Sequence, residues 1–297
     1  MKTNRSKLAF SLIEISIVIL IIGILIIGIT KGARITRASK LLSARSLSKS
    51  SPVTLNANEL ALWFDATNEK SFKANEATNG ASITTWYDVN PATSNPLDLN
   101  NSSNPTYMSS SANGLPGVKF NSSNSLSRNN VYGKDLTKGD QITIFLVQKN
   151  YPNYIDNATP IWWGGGNEII LMHVLNAGAI LYSDFGICCG SDARMQFNPP
   201  ASFNNRTNIV VSSRRPNGAG FIRINGQSSG TSSFSVPAGT LTSKVPGTTV
   251  SSFIIGADGM VSDINEMIIF RIALSDKEIS DIEKYLSAKW AIPLKPL

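Results

Sequence analysis

Apolar and polar positions alternate in three different ways along this chain. Phe10 through Ile29 is a run of twenty residues with no proline and with Glu14 as its only charge. As a helix rising ~1.5 Å per residue, such a run is long enough to cross a ~30 Å hydrocarbon layer, so it predicts a membrane-spanning helix. From Gly32 onward Ile35, Ala38, Leu41 and Leu42 keep helical spacing while basic residues fill the positions between, which predicts an amphipathic continuation to residue 45. Serines 46, 48, 50 and 51 then lead into Pro52, and a proline disfavours helix at the residue before it. The linker is placed at 46–55.

The pattern changes at residue 56. Short runs rich in β-branched and aromatic residues follow one another, separated by Asn, Ser, Gly and Pro, with no internal repeat. Ile142–Val147, Asn208–Val211, Gly220–Asn225 and Phe253–Gly256 have strand composition, and Asn225-Gly226 is a two-residue hairpin signal. The end of the chain differs again. Ser275 with Glu278 three residues on forms a capping box, and Ile279, Ile282, Leu286 and Trp290 repeat at helical spacing. The pattern predicts an N-terminal membrane-spanning α-helix followed by an all-β body over 56–294 that closes with a short C-terminal helix.

Charge modifies this picture at one end only. Nine of the 27 basic residues precede Ser50, and the remainder of the chain balances to within one charge, so the sequence pI of about 9.4 reports the N-terminus. A nucleic-acid-binding body needs a basic stripe of its own, and the count gives no reason to expect one. Three positive charges ahead of Phe10 favour a cytoplasmic N-terminus with the β body outside. The six basic residues between Lys31 and Lys49 sit awkwardly with that orientation. The two cysteines, Cys188 and Cys189, are adjacent, and a bond between neighbouring side chains needs a strained turn, so unlinked thiols are expected. With one histidine, His173, and no clustered thiols, neither a zinc site nor a histidine-dependent triad has its parts.

Ala9-Phe10-Ser11-Leu12-Ile13-Glu14, behind a short basic leader, resembles the processing motif of type IV pilins and type II secretion pseudopilins. The resemblance implies a leader at 1–9, cleavage by a prepilin peptidase between Ala9 and Phe10, N-methylation of Phe10, and a role for Glu14 in setting register against the terminal amine of a neighbouring subunit. A carboxylate inside a membrane costs ~2.5–3.5 kcal/mol on insertion scales, which fits a residue kept for a partner. The motif's usual helix proline and well-separated cysteine pair are both missing, which favours a minor pilin or pseudopilin over a major fibre subunit.

A second resemblance covers the body. Leu62-Trp63-Phe64-Asp65, Trp86-Tyr87-Asp88, Pro105-Thr106-Tyr107, Gly117-Val118-Lys119-Phe120-Asn121, Ile264-Asn265-Glu266 and the closing Tyr285–Trp290 stretch resemble, in order and spacing, the concanavalin A-like, laminin G-like jelly-roll family. In the laminarinase-like branch of that fold two carboxyls come from a Glu-x-Asp-x-x-Glu strand. The local match, Val261 to Glu266, has Val261 in the first glutamate position, so no catalytic residues are expected. Asp263 and Glu266 then read as surface or loop-ordering carboxylates. Sugar recognition in such modules draws on exposed aromatics and loop oxygens. Trp162-Trp163 ahead of three glycines supplies the first, since neighbours on a strand face opposite ways, one into the core and one outward. Asp88, Asn90, Asp258 and Asp263 could supply the second, with calcium as the cofactor their oxygens would suit, although no spacing marks a calcium loop and turn-forming is the alternative role.

The function these readings imply is a non-enzymatic minor pilin or pseudopilin. It would be anchored once in the bacterial cytoplasmic membrane, assemble with other pilin subunits, and display a glycan- or protein-binding head outside. A purely structural pseudopilus subunit and a glycan-active enzyme are the alternatives.

Overall fold

The computed structural model describes residues 11–94, 96–100, 103–129, 141–151, 158–165, 168–175, 180–187, 194–198, 203, 205–215, 220–228 and 252–295. The chain divides into two compact units, Met1–Ser43 and Ala44–Leu297.

Helix α1 runs from Leu12 to Lys49. Its start is fixed locally: the Ser11 amide donates to Glu14 Oε2 at 2.8 Å and the Ile13 amide to Ser11 Oγ at 3.3 Å. A carboxylate in the first turn also meets the positive end of the helix dipole. The apolar residues and the basic Arg34, Arg37, Lys40, Arg45 and Lys49 belong to one continuous helix. Among the described residues no helix is long and apolar enough to cross a membrane. That finding overturns the expected membrane-spanning helix. The single-pass location at the cytoplasmic membrane and the pilin-type, membrane-anchored assignment, both built on that helix, fall with it.

The second unit is a β-sandwich with a C-terminal helix. Its early strands are β1 (Leu60–Asp65), β2 (Thr85–Trp86), β3 (Leu99–Asn100), β4 (Thr106–Ala112), β5 (Leu115–Phe120), β6 (Leu126–Asn129), β7 (Ile142–Asn150) and β8 (Ala158–Gly165). The later ones are β9 (Glu168–Leu175), β10 (Ile180–Ile187), β11 (Arg194–Phe197), β12 (Thr207–Arg214), β13 (Gly220–Ile224), β14 (Gln227–Ser228), β15 (Ser252–Ala257) and β16 (Ser262–Phe270), after which α2 spans Asp276–Trp290. One sheet has the order β14-β13-β12-β7-β16-β5-β4, with β1 also paired to β16; the other has the order β11-β10-β9-β8-β15-β6-β3-β2. Every described pairing between these strands is antiparallel, as expected for strands that alternate an apolar and a polar face.

The period-2 pattern builds the core. Leu62 and Phe64 of β1, Ile144 and Leu146 of β7, and Met267 and Ile269 of β16 turn inward from the first sheet, and Ile161, Trp163, Phe185 and Phe253 meet them from the second. Each such side chain contributes ~1.5–3 kcal/mol by leaving water. Polar contacts also cross this core: the hydroxyls of Ser183 and Ser212 meet at 2.8 Å, and buried Arg214 donates to the Phe185 carbonyl at 3.4 Å. Asn225 and Gly226 both adopt positive φ, 52° and 80°, so the expected two-residue turn joins β13 to β14. Gly256 is required on two counts: its φ is 83°, and an added Cβ would collide with the ring of Phe120.

The outer face of the first sheet carries a second apolar layer, in which Phe145 and Phe270 meet edge to face at 6.3 Å. The helix α2 lies on this side. Its capping box is formed, with Glu278 N donating to Ser275 Oγ and Ser275 N to Glu278 Oε2, and its apolar Ile279, Ile282, Leu286 and Trp290 are all buried.

Candidate functional site

The residues singled out in the sequence fall in different places. Ala9 and Phe10 lie outside the described residues, as do Cys188 and Cys189. Glu14 is exposed and caps α1. Asp88 and Asn90 sit together in the segment after β2, and both are buried. Asp88 Oδ1 accepts from the amides of Trp63 and Asn90, Oδ2 accepts from the amide of Leu97, and Asn90 Nδ2 donates to the Leu60 carbonyl. Those polar atoms tie the loop to β1. Among the described residues no group of three or more His, Cys, Asp or Glu side chains is placed to hold a metal ion.

Trp162 and Trp163 occupy neighbouring positions on β8, with opposite surroundings. Trp163 is 5% exposed and packs in the core, while Trp162 on the outer face of the second sheet is half-buried. Register places Trp162 opposite Leu171 of β9 and Ile254 of β15; the same row continues through Asp184 of β10 to Arg194 of β11. At the far end of the row Arg194 donates to both oxygens of buried Asp184, at 2.8 and 2.7 Å, and its guanidinium stacks 4.3 Å above the ring of Tyr182. A two-pronged guanidinium–carboxylate pair of this kind is rigid. The outer face therefore offers a half-buried indole on β8 and, two and three strands away, a phenol ring on β10 with a guanidinium from β11 over it.

The other conspicuous chemistry lies under α2. Asp65 of β1 and Glu266 of β16 are direct cross-strand partners, a placement that is unfavourable for two like charges. The Lys289 ammonium resolves it, 2.8 Å from Asp65 Oδ1 and 2.8 Å from Glu266 Oε2, with all three side chains fully buried. Asp65 Oδ1 also accepts from Thr67 N and Oγ1, at 2.9 and 2.7 Å, and Oδ2 from Ser48 Oγ at 2.8 Å. Glu266 Oε1 accepts from Trp63 Nε1 and the Tyr285 hydroxyl, at 2.9 and 2.7 Å, and Oε2 from Trp290 Nε1 at 2.8 Å. Burial opposes ionisation of Asp65, but the Lys289 charge and the Lys289 and Thr67 hydrogen bonds outweigh it and hold its carboxyl below the usual range. Burial, reinforced by the neighbouring Asp65 charge, pushes Glu266 up. Burial, with the charges of Glu266 and Asp65 added, likewise pushes the Tyr285 hydroxyl well above its ordinary value.

Asp263 and Glu266, the two carboxyls of the laminarinase-like comparison, have separate partners. A register shift in β16 between Ile264 and Glu266 separates them, and Asp263 Oδ2 accepts from Ser111 Oγ and the Tyr151 hydroxyl at 2.9 and 3.1 Å. The sequence reading missed the Lys289 cluster. Its one local signal was a lysine at core spacing, three and four residues beyond Leu286 and Tyr285 on the apolar side of α2.

No protein-family model matches the chain, and neither does any curated protein. Solved structures do share its fold. The chain is similar to the botulinum neurotoxin serotype D binding domain, at 13% identity with a TM-score of 0.56 over 82% of this chain and 56% of that one. It is similar to the binding domain of botulinum neurotoxin DC in complex with SialylT, at 15% identity and a TM-score of 0.50 over 77% and 52%. A Trypanosoma rangeli sialidase in complex with 2,3-difluorosialic acid aligns at 13% identity and a TM-score of 0.51 over 85% of this chain but 38% of that one. The chain thus spans between about a third and just over half of the structures it resembles. At these identities the likeness establishes the β-sandwich fold.

Proposed function

We propose that the β-sandwich unit is a glycan-recognition module whose contact surface is the outer face of the second sheet around Trp162. The observation that carries this reading is the half-buried indole of Trp162, set between cross-strand Leu171 and Ile254 on a face where Tyr182, Asp184 and Arg194 lie in the same and the adjoining row. A flat aromatic surface stacks on the C–H face of a sugar, and polar groups in its vicinity fix the orientation; apolar area with a few placed polar groups is the general composition of a ligand site. The fold neighbours add support for the ligand class, since one was solved in complex with SialylT and another with 2,3-difluorosialic acid. Fold likeness carries no function by itself, so the weight rests on Trp162.

Recognition is favoured over hydrolysis because Asp65 and Glu266 are sealed against Lys289 and Asp263 is bonded to Ser111 and Tyr151. A glycan array probed with the full chain and with Trp162→Ala tests the reading. Binding to sialylated or other glycans that falls at least tenfold in the variant, with unchanged melting, is the expected result. Absence of binding to any glycan by the wild-type chain, or binding that survives Trp162→Ala, overturns it.

A further inference from the structure

The cluster under α2 has the parts of a reaction as well as those of an ion pair. We infer that Lys289 and Glu266 form an intramolecular amide, an isopeptide bond that fastens α2 to β16, with Asp65 as the group that moves the protons. The amine and the acyl group are already in contact, Lys289 Nζ lying 2.8 Å from Glu266 Oε2, and the proton acceptor touches the same nitrogen at 2.8 Å. Fixing the two reactants side by side removes the entropic cost of bringing them together.

Each remaining requirement has a residue. Two donors, the Trp63 indole N–H and the Tyr285 hydroxyl, converge on Glu266 Oε1, where negative charge collects when a nitrogen adds to the carboxyl carbon. Trp290 Nε1 donates to Oε2, the oxygen that leaves. Asp65 is kept ionised and aimed by Thr67 and Ser48. Burial and the Asp65 charge raise Glu266, so it is the more readily protonated of the two carboxyls and the one suited to be attacked. Full burial of all three groups strengthens each contact and removes the bulk water that would reverse the reaction. A cleft of about 260 Å³ bordered by Ser48, Trp63 and Asp65 gives the product water a way out.

The step balances without any added reagent. Asp65 takes one proton from the Lys289 ammonium, and the freed amine adds to Cδ of protonated Glu266, placing the negative charge on Oε1. The C–Oε2 bond then breaks as Asp65 returns its proton to Oε2, which departs as water, while the nitrogen gives its second proton to Asp65. The products are one amide, one water and a protonated Asp65, with the net charge of the cluster unchanged.

Intact mass measurement of the denatured full-length chain tests this, followed by tryptic digestion and fragmentation. The expected result is a chain lighter by one water than its sequence, with a branched peptide joining Glu266 to Lys289. Lys289→Arg keeps the charge but cannot acylate, and should restore the full mass. Asp65→Asn should leave most of the chain unlinked. A wild-type chain of full mass with unmodified Glu266 and Lys289 overturns the inference. So does a branch at Asp65, a mass deficit that survives Lys289→Arg, or a Glu266–Lys289 branch formed at wild-type yield in Asp65→Asn.

Discussion

Trp162 and Trp163 are joined by one peptide bond, yet they belong to different environments: the pleat of β8 sends Trp163 into the space between the sheets and leaves Trp162 on the outer face. Their substitution should separate the two roles. Trp163→Ala removes a core side chain and is expected to destabilise the sandwich by ~3–5 kcal/mol. Trp162→Ala should leave the denaturant midpoint close to that of the wild type. Equal destabilisation by both, measured by urea unfolding, would show that the outer indole is as structural as the inner one.

Lys289 is the only cation within reach of the Asp65–Glu266 pair among the described residues. Lys289→Met leaves two buried carboxyls facing each other with neither a cation nor an amide between them, and leaving a buried charge uncompensated typically costs ~3–5 kcal/mol. Replacement by an apolar side chain of similar length should therefore lower stability strongly in a urea melt. A loss below ~1 kcal/mol would mean that the helix is held by its apolar face alone.

The start of α2 makes a smaller and cleaner test. Ser275→Ala removes the hydroxyl half of the capping box, the bond from the Glu278 amide to Ser275 Oγ, while the backbone amide at 275 still donates to Glu278 Oε2. The expected cost is ~1 kcal/mol, with Ser275→Asp nearly neutral.

Stability should pass through a maximum at mildly acidic pH. Burial raises Asp263 above its ordinary 3.8 and Glu283 above its ordinary 4.5. The folded state therefore binds more protons than the unfolded one between those ordinary values and the raised ones, and stability rises as pH falls through that window. Glu278 is held low by hydrogen bonds from Ser275, and Glu76 is held low because hydrogen bonds from Thr84 and the Lys73 charge outweigh its burial. Their contribution is complete above 4.5 and is lost as pH falls through their folded values. Urea midpoints recorded from neutral pH downward should first climb and then drop; a monotonic fall from neutral pH would mean that Asp263 and Glu283 are not raised.

Local patterns were the legible part of this protein. The strand runs at Ile142–Val147 and Phe253–Gly256, the Asn225-Gly226 turn and the Ser275–Glu278 capping box depend on residues close in sequence, and each appears where the spacing put it. The N-terminal run did not become the expected span: among the described residues no helix is long and apolar enough to cross a membrane. The Lys289 cluster was out of reach for a different reason. Ser48, Asp65, Glu266 and Lys289 come from four separate elements, and only the pairing of β1 with β16 and the seating of α2 bring them to one point. Asp88 illustrates the reverse case, an acidic loop residue whose oxygens receive the backbone amides of Trp63, Asn90 and Leu97.

The pairing of β1 with β16 also sets the order in which the unit can assemble. β1 lies near the beginning of the second unit and β16 near its end, and β16 is the central strand of the first sheet, flanked by β7 and β5 and crossed by β1. Until Phe270 has been synthesised, β1, β5 and β7 have no common neighbour, and the edges that β16 will occupy stay unpaired. Contacts of such long sequence separation form slowly, and a nascent chain that waits for its last strand exposes strand edges meanwhile. The first sheet can therefore close only late, after nearly all of the unit has left the ribosome, and a truncation before Ser262 would leave β1 without a partner and split β4–β5 from β7–β12–β13–β14.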